Sequence, residues 1–313
     1  MAKLRISLFG RFEMMEEGVP LHGELSSKAC ELCSYLVLYR NRPHAREKLA
    51  TVLWPERYPA SDTKAYLRKT IWQLQQGLRS ENGNLMNSVL RITPEWIQFD
   101  GDGEVQADVA EFEKVYMLIS RRNGEPLNSQ FVRQLEQAVS LYRGALLENW
   151  YYEWCDFERD RLQDMYLIML DKLLEHCIDT GNVEAGREYG NRILRIDRAR
   201  ERTYRQLMEL HYQAGDRTKG LRLYDQCAGA LQEELGIEPG PAIQELHRRL
   251  RLGQMMVRPI QSVSVPSSGD NLTVRERLEQ IKLLQELHAS IQMQIQQNIH
   301  AVERALNLAD DSS

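Results

Sequence analysis

SDTKAYLRKTIWQLQQGLR, running from Ser61 to Arg79, places Leu67, Ile71, Leu74 and Leu78 at the spacing of a single helix face. Lys64, Arg68 and Lys69 fall off that stripe near the N-terminal end, with Ser61 and Thr63 ahead of them. A helix anchored by its apolar side can present such a basic flank to phosphates and base edges. Basic residues on a solvated helix face are also ordinary, so the reading depends on what surrounds this helix.

Upstream, Leu4–Phe9 alternates as a strand does, and Phe12–Met15 and Val19–Leu21 suit two more, divided by Gly10 and a Glu16-Glu17-Gly18 turn. Ser26-Ser27 offers a cap to a helix with apolar Ala29, Leu32, Tyr35, Leu36 and Leu38. A short helix over Ala45–Leu53 ends at Trp54-Pro55, because proline disfavours helical geometry in the residue before it. Downstream, Ser88–Ile92 and Trp96–Phe99 form a hairpin around Thr93-Pro94-Glu95. Strands, three helices and then a β-hairpin is the order of an OmpR-type winged helix, with the second and third helices as helix-turn-helix and the hairpin as wing.

LRISLFGRFEM, SSKACELCSYLVLYRNRP, REKLATVLWPE and AYLRKTIWQLQQGLR together resemble the N-terminal domain of SARP-type transcriptional activators. That resemblance implies a third helix lying in the major groove. It assigns DNA contact to Lys64, Arg68 and Lys69, with Ser61 and Thr63 as phosphate ligands near the helix start. Arg91 is the basic residue of the hairpin and the wing's candidate contact. Trp72 could flank the DNA or pack against the second helix, and packing is the favoured expectation. Three residues, at two places, depart from the family. Ala45 stands where Ser or Thr usually caps the second helix, a loss of about 1 kcal/mol. Pro94 and Glu95 occupy the wing tip where related wings carry Arg or Gly.

From Asp102 to Asp108 the chain reads as a polar connection, after which helices follow one another: Asp108–Arg121, Ser129–Arg143, Phe157–Thr180, Val183–Arg195, Glu201–Ala214, Lys219–Leu235 and Ala242–Leu252. Asp156 or a neighbour is the expected cap of the third, and Gly181, Gly215 and Gly236 sit where helices end. Gly181-Asn182 and Gly215-Asp216 are 34 residues apart, as are Gly186 and Gly220, Tyr189 and Leu223, and Ile193 and Cys227. Two helices in a period of 34 is the tetratricopeptide signature, although Arg198 replaces the usual proline. Two repeats cannot bury a core unaided, so flanking helices must complete the stack. DVAEFE, EQAVSLYRGALLENWYYEWCDFERDRL and the run from REYGNRIL to AIQEL resemble the bacterial transcriptional activator domain. The resemblance implies dimer contacts and engagement of RNA polymerase at the promoter. Trp150, Tyr151, Tyr152, Trp154 and Phe157 are expected to pack at a helix junction.

PIQSVSVPSSGD, beginning at Pro259, reads as a linker. Thr273 and Glu276 then form a capping box for a helix reaching Leu308. Val274, Leu278, Ile281, Leu284, Ile291, Ile295, Ile299, Val302 and Leu306 draw a near-heptad stripe along it, interrupted at His288. The stripe either pairs with its copy in a homodimer, which is favoured, or folds back on the helical domain.

The composition is that of a soluble globular chain, 42% hydrophobic and 27% charged. No apolar run approaches the roughly 20 residues of a membrane span, and MAKLRISLFGRFEMMEE lacks a signal-peptide core. Five scattered cysteines suit the reduced thiols of a cytoplasmic protein, and Cys30-x-x-Cys33 without a second pair is core and surface thiol rather than a metal site. Net charge is −5, yet residues 1–100 hold 14 Lys/Arg against 11 Asp/Glu, and Arg40–Arg79 holds nine against three. Positive charge therefore gathers around the helix that opened this section. No phosphate-binding loop, zinc-protease, nucleophile-elbow or dinucleotide motif is present, and the seven histidines do not cluster, so catalysis, cofactor and metal are not expected.

The expected fold is mostly α: an N-terminal winged helix-turn-helix (α+β) over 1–101, an all-α tetratricopeptide-like domain over 102–258, a linker over 259–270 and a long C-terminal helix over 271–313. The expected function is a sequence-specific activator that binds promoter repeats on double-stranded DNA and recruits RNA polymerase. The alternative is a protein-interaction adaptor or small-ligand sensor whose winged helix contacts protein. The activating signal stays open between expression level, dimerisation through the tail and a small-molecule effector between helices.

Overall fold

Leu4 and Ile6 are buried and Arg5 between them is exposed, the alternation of a strand with one face on a core. That strand, β1 (Leu4–Ser7), pairs antiparallel with β2 (Glu13–Glu16), which pairs in turn with β3 (Val19–Pro20). Glu17 and Gly18 both take positive φ (49° and 89°), which a two-residue hairpin turn needs to match strand twist. The computed structural model describes residues 4–21, 25–40, 42–55, 60–78, 89–100, 105–121 and 127–253, with the backbone alone at 60 and 61. The linker and the long helix expected over 259–313, with its stripe, lie outside the described residues.

The three helices of the N-terminal module follow. α1 (Ser27–Leu38) starts at Ser26, whose hydroxyl accepts from the Ala29 amide at 3.3 Å. α2 (Arg46–Leu53) starts at Ala45 with no side-chain cap, as the sequence implies. α3 (Ala60–Gly77) is the basic-flanked helix and packs against both. The wing is β5 (Leu90–Ile92) and β6 (Trp96–Phe99), and a short β4 (His44–Ala45) pairs with β6 to make a three-stranded sheet. The Thr93 hydroxyl accepts from the Glu95 and Trp96 amides (3.3 and 3.0 Å), which closes the wing turn.

The polar connection expected over 102–108 is corrected in part. Val105–Ala107 forms β7, parallel to β1 with Leu4 opposite Val105. Three residues are too few to show alternation, and only pairing to a strand about a hundred residues earlier makes them extended. Asp108 then closes the end of β1: its carboxylate accepts from the Leu8 amide (2.9 Å) and the Phe9 amide (3.0 Å).

Asp108 also opens α4 (Asp108–Ser120), followed by α5 (Ser129–Leu141), α6 (Glu153–Thr180), α7 (Val183–Ile196), α8 (Glu201–Gln213), α9 (Arg217–Leu235) and α10 (Pro241–Leu252). α6 begins at Glu153, a turn before the expected Phe157, so Asp156 is no cap; it lies in the first turn and pairs with Arg159. Gly181, Gly215 and Gly236 end their helices in the left-handed region, at φ 71°, 80° and 66°. The 34-residue period is structural. Asn182 and Asp216 cap α7 and α9 by the same bond, and Ile193 and Cys227 are both fully buried.

One apolar core runs from Leu4 to Leu210, so the winged helix and the first helices behind it share an interior. Phe9 packs on Phe112 and Tyr142, with ring centroids 4.9 and 4.8 Å apart. Main-chain bonds join the same segments, Leu147 N to Leu8 O at 2.8 Å and Gly10 N to Ala145 O at 2.9 Å. A second core, around Tyr204, Met208, Cys227, Leu231, Ile243 and Leu250, closes α8, α9 and α10.

Candidate nucleic-acid interface

α3 has two unlike sides. Leu67, Ile71, Leu74 and Leu78 are each 6% exposed or less, while Lys64, Arg68, Lys69 and Trp72 are exposed. Thr63 is half-buried, and Ser61 lies in the helix backbone with its side chain outside the described residues. Lys64 Nζ donates to Glu47 of α2 at 2.9 Å. That bond holds the Glu47 carboxyl below its usual range. Arg68 reaches back to the Lys64 carbonyl through a long 3.4 Å contact, leaving most of its guanidinium donors to solvent.

Between the start of α2, α3 and the wing turn lies a cavity of about 430 Å³, lined by Arg46, Glu47, Lys64, Arg68, Pro94 and Glu95 among others. The wing turn closes one wall because the Arg46 amide donates to the Glu95 carbonyl at 3.0 Å. The chemistry is mixed, with three cationic side chains against two carboxylates. Arg91 is not part of it; it is exposed on β5 and paired with Asp100. The fold thus gathers Lys64 and Arg68 at one groove, sets Lys69 on the outward side of the same helix, and leaves Arg91 on the hairpin.

Two expectations about aromatics are corrected. Trp72 is 58% exposed rather than buried in a packing contact; it falls a turn beyond Arg68, on the outward side. Of the aromatic cluster, Trp150, Tyr152 and Trp154 are half-buried, with Tyr152 and Trp154 rings parallel at 6.2 Å, but Tyr151 and Phe157 are 87% and 70% exposed. The early start of α6 turns Phe157 outward.

Sequence reasoning missed the residues that fix α3 to the rest. Lys28 donates to the Leu53 carbonyl (2.6 Å), pairs with fully buried Glu31 (2.7 Å), and lies over the rings of Trp54 and Tyr152 at 5.5 and 5.1 Å. Trp54 meets Tyr66 of α3 at 6.2 Å. A signal was available in Glu31 itself, a carboxylate within an apolar run, which must find a partner when buried. On the other side of α1, Arg40 pairs with Glu113 (2.6 Å), Glu113 with Arg161 (2.5 Å), and Arg161 with Glu158 (2.7 Å). Cys33 is buried and its thiol is pushed up to about 12 by desolvation, which makes it unreactive. Among the described residues no group of three or more His, Cys, Asp and Glu could hold a metal ion, and no helix is long and apolar enough to cross a membrane.

The winged helix thus shares its core with the tetratricopeptide-like helices and turns a basic helix face to solvent. Residues 107–251 match the family described as bacterial transcriptional activator domain. The transcriptional regulatory protein MoaR1 of Mycobacterium tuberculosis is 24% identical over 216 residues, 69% of this chain and 69% of its own. The transcriptional regulatory protein EmbR of the same organism is 25% identical over 288 residues, 88% of this chain and 70% of its own. The regulatory protein AfsR of Streptomyces coelicolor is 30% identical over 117 residues, 37% of this chain and 12% of its own. The solved structure of Mycobacterium tuberculosis EmbR in complex with a low-affinity phosphopeptide superposes with a TM-score of 0.70 at 22% identity, over 82% of this chain and 67% of that one, and so has the same fold. The chain thus carries a match to the bacterial transcriptional activator domain over residues 107–251 and is similar to proteins named as transcriptional regulators.

Proposed function

We propose that this protein binds promoter DNA sequence-specifically, laying α3 in the major groove, and activates transcription by engaging RNA polymerase from that bound pose. The observation that carries the reading is the two-sidedness of α3. Its apolar side is buried in the module's core, and Lys64, Arg68 and Lys69 stand on the solvent side. DNA contact is assigned to residues 1–101, with Ser61 and Thr63 near the helix start and Arg91 on the hairpin as phosphate contacts. The activating surfaces are assigned to residues 102–258. The protein works in the cytoplasm as a homodimer on repeated sites, with Leu278, Ile281, Leu284, Ile291, Ile295, Ile299 and Val302 as the self-association stripe.

Phosphate contacts supply most of the affinity and make it fall with salt. Arg68 contributes discrimination of roughly 1–3 kcal/mol through a base edge. The test is gel retardation of a duplex enriched from a random pool by the unsubstituted chain. Arg68→Ala is expected to lose retardation of that duplex while keeping its helical circular dichroism. Retention at wild-type affinity would remove α3 from the recognition role.

A further inference from the structure

Trp72 is the least explained side chain on α3. Its neighbours on the buried side are each 6% exposed or less, yet the indole itself is 58% exposed. No hydrogen bond, ring contact or cation–π contact engages it among the described residues. It stands one helical turn beyond Arg68 and Lys69 on the outward side, which places it about 6 Å further along the helix axis than Arg68. A single exposed apolar side chain needs no partner by itself, but Trp72 lies beside two exposed cations on the same helix side, and those cations say what kind of surface would cover it. A second copy of the same helix face would set like charges against one another. A duplex offers phosphates for Arg68 and Lys69, and the major groove offers one apolar base substituent, the thymine methyl.

We propose that Trp72 is a specificity-determining contact, its indole set against a thymine methyl within one or two base pairs of the position approached by Arg68. The proposal rests on α3 being the DNA-facing helix. Arg68 and Lys69 hold the helix on the backbone and bases, and the indole adds a preference for thymine that charge alone cannot supply.

The experiment uses the full chain and a randomised duplex pool. If the unsubstituted protein enriches no sequence, the DNA-binding reading itself fails, and Trp72 with it. If it enriches a site, Trp72→Ala and Trp72→Phe are titrated against that site, a scrambled duplex, and versions with each thymine replaced in turn by deoxyuridine. The expected result is a loss of roughly five- to tenfold for Trp72→Ala on the enriched site, with less than about twofold on the scrambled duplex. One deoxyuridine position weakens the unsubstituted protein and has no further effect on Trp72→Ala. Trp72→Phe keeps part of that sensitivity, and it carries the comparison if the alanine variant loses helical circular dichroism. Unchanged affinity and deoxyuridine response in the variants overturns the proposal while leaving the role of Arg68 standing. A drop in solution mass for Trp72→Ala also overturns it, by assigning the indole to a second copy of the chain.

Discussion

Lys64 shows what a single side chain on α3 would give up to make the proposed DNA contact. Its ammonium is taken by Glu47 at 2.9 Å, with side-chain exposures of 58% and 79%. A pair so exposed is weak, so a phosphate can displace the carboxylate at little expense. The carboxylate nevertheless stays beside the groove and repels the backbone. Glu47→Gln is therefore expected to tighten binding roughly two- to fivefold at low salt, with the gain shrinking as salt rises, in anisotropy titrations. Weaker binding would show instead that the pair orients Lys64. The exposure of Lys64, Arg68 and Lys69 was legible because the Leu67–Leu78 stripe decides which side goes in. The Glu47 partner was not, since a pair 17 residues apart depends on how α2 meets α3. Trp72 was misplaced because residue type argued for burial and outweighed its position off the stripe.

At the scale of elements, the capped helices and the repeat could be read in advance, because each signal is local. Asn182 and Asp216 open their helices wherever these pack, and a left-handed glycine closes a helix by its own backbone. β7 and the link from α1 to the loop before α6 could not, because both exist only through distant partners. That link makes a pH prediction. Burial pushes the Glu31 carboxyl above its ordinary 4.5, with Lys28, Tyr152 and Trp154 pulling the other way. Folding thus favours the protonated form. The group's stabilising contribution is complete below its unfolded value and is lost as pH rises through the raised folded value. Glu31→Gln removes this term, so the variant's melting temperature relative to wild type should climb as pH is raised from about 4.5. A difference that is flat or falls over that range would mean the carboxylate is held charged by Lys28.

For the whole molecule, the shared interior from Leu4 to Leu210 ties α3 to the helices behind it. Reorientation of the N-terminal module on a flexible tether is not how this chain would switch. Regulation is better sought in assembly, which returns attention to the stripe between Leu278 and Val302. A chain ended after Met256 is expected to scatter light with the mass of a monomer of its own length, the full protein with that of a dimer, while the truncated chain stays helical by circular dichroism. A dimer's mass for the truncated chain would assign the contact between copies to residues before the linker.

The pairing of β1 with β7, and of Leu8 and Gly10 with Ala145 and Leu147, also orders events in time. A nascent chain emerges from its N-terminus, yet the side of β1 not paired with β2 waits for partners about a hundred residues and more behind it. Such distant pairings are slow, and unpaired strand edges are exposed to misassembly in the meantime. During synthesis the N-terminal module therefore matures only once the ribosome has delivered the start of the helical domain. A truncated translation product ending near the wing would lack the partners that finish its sheet, so the N-terminal module is completed only together with the start of the helical domain.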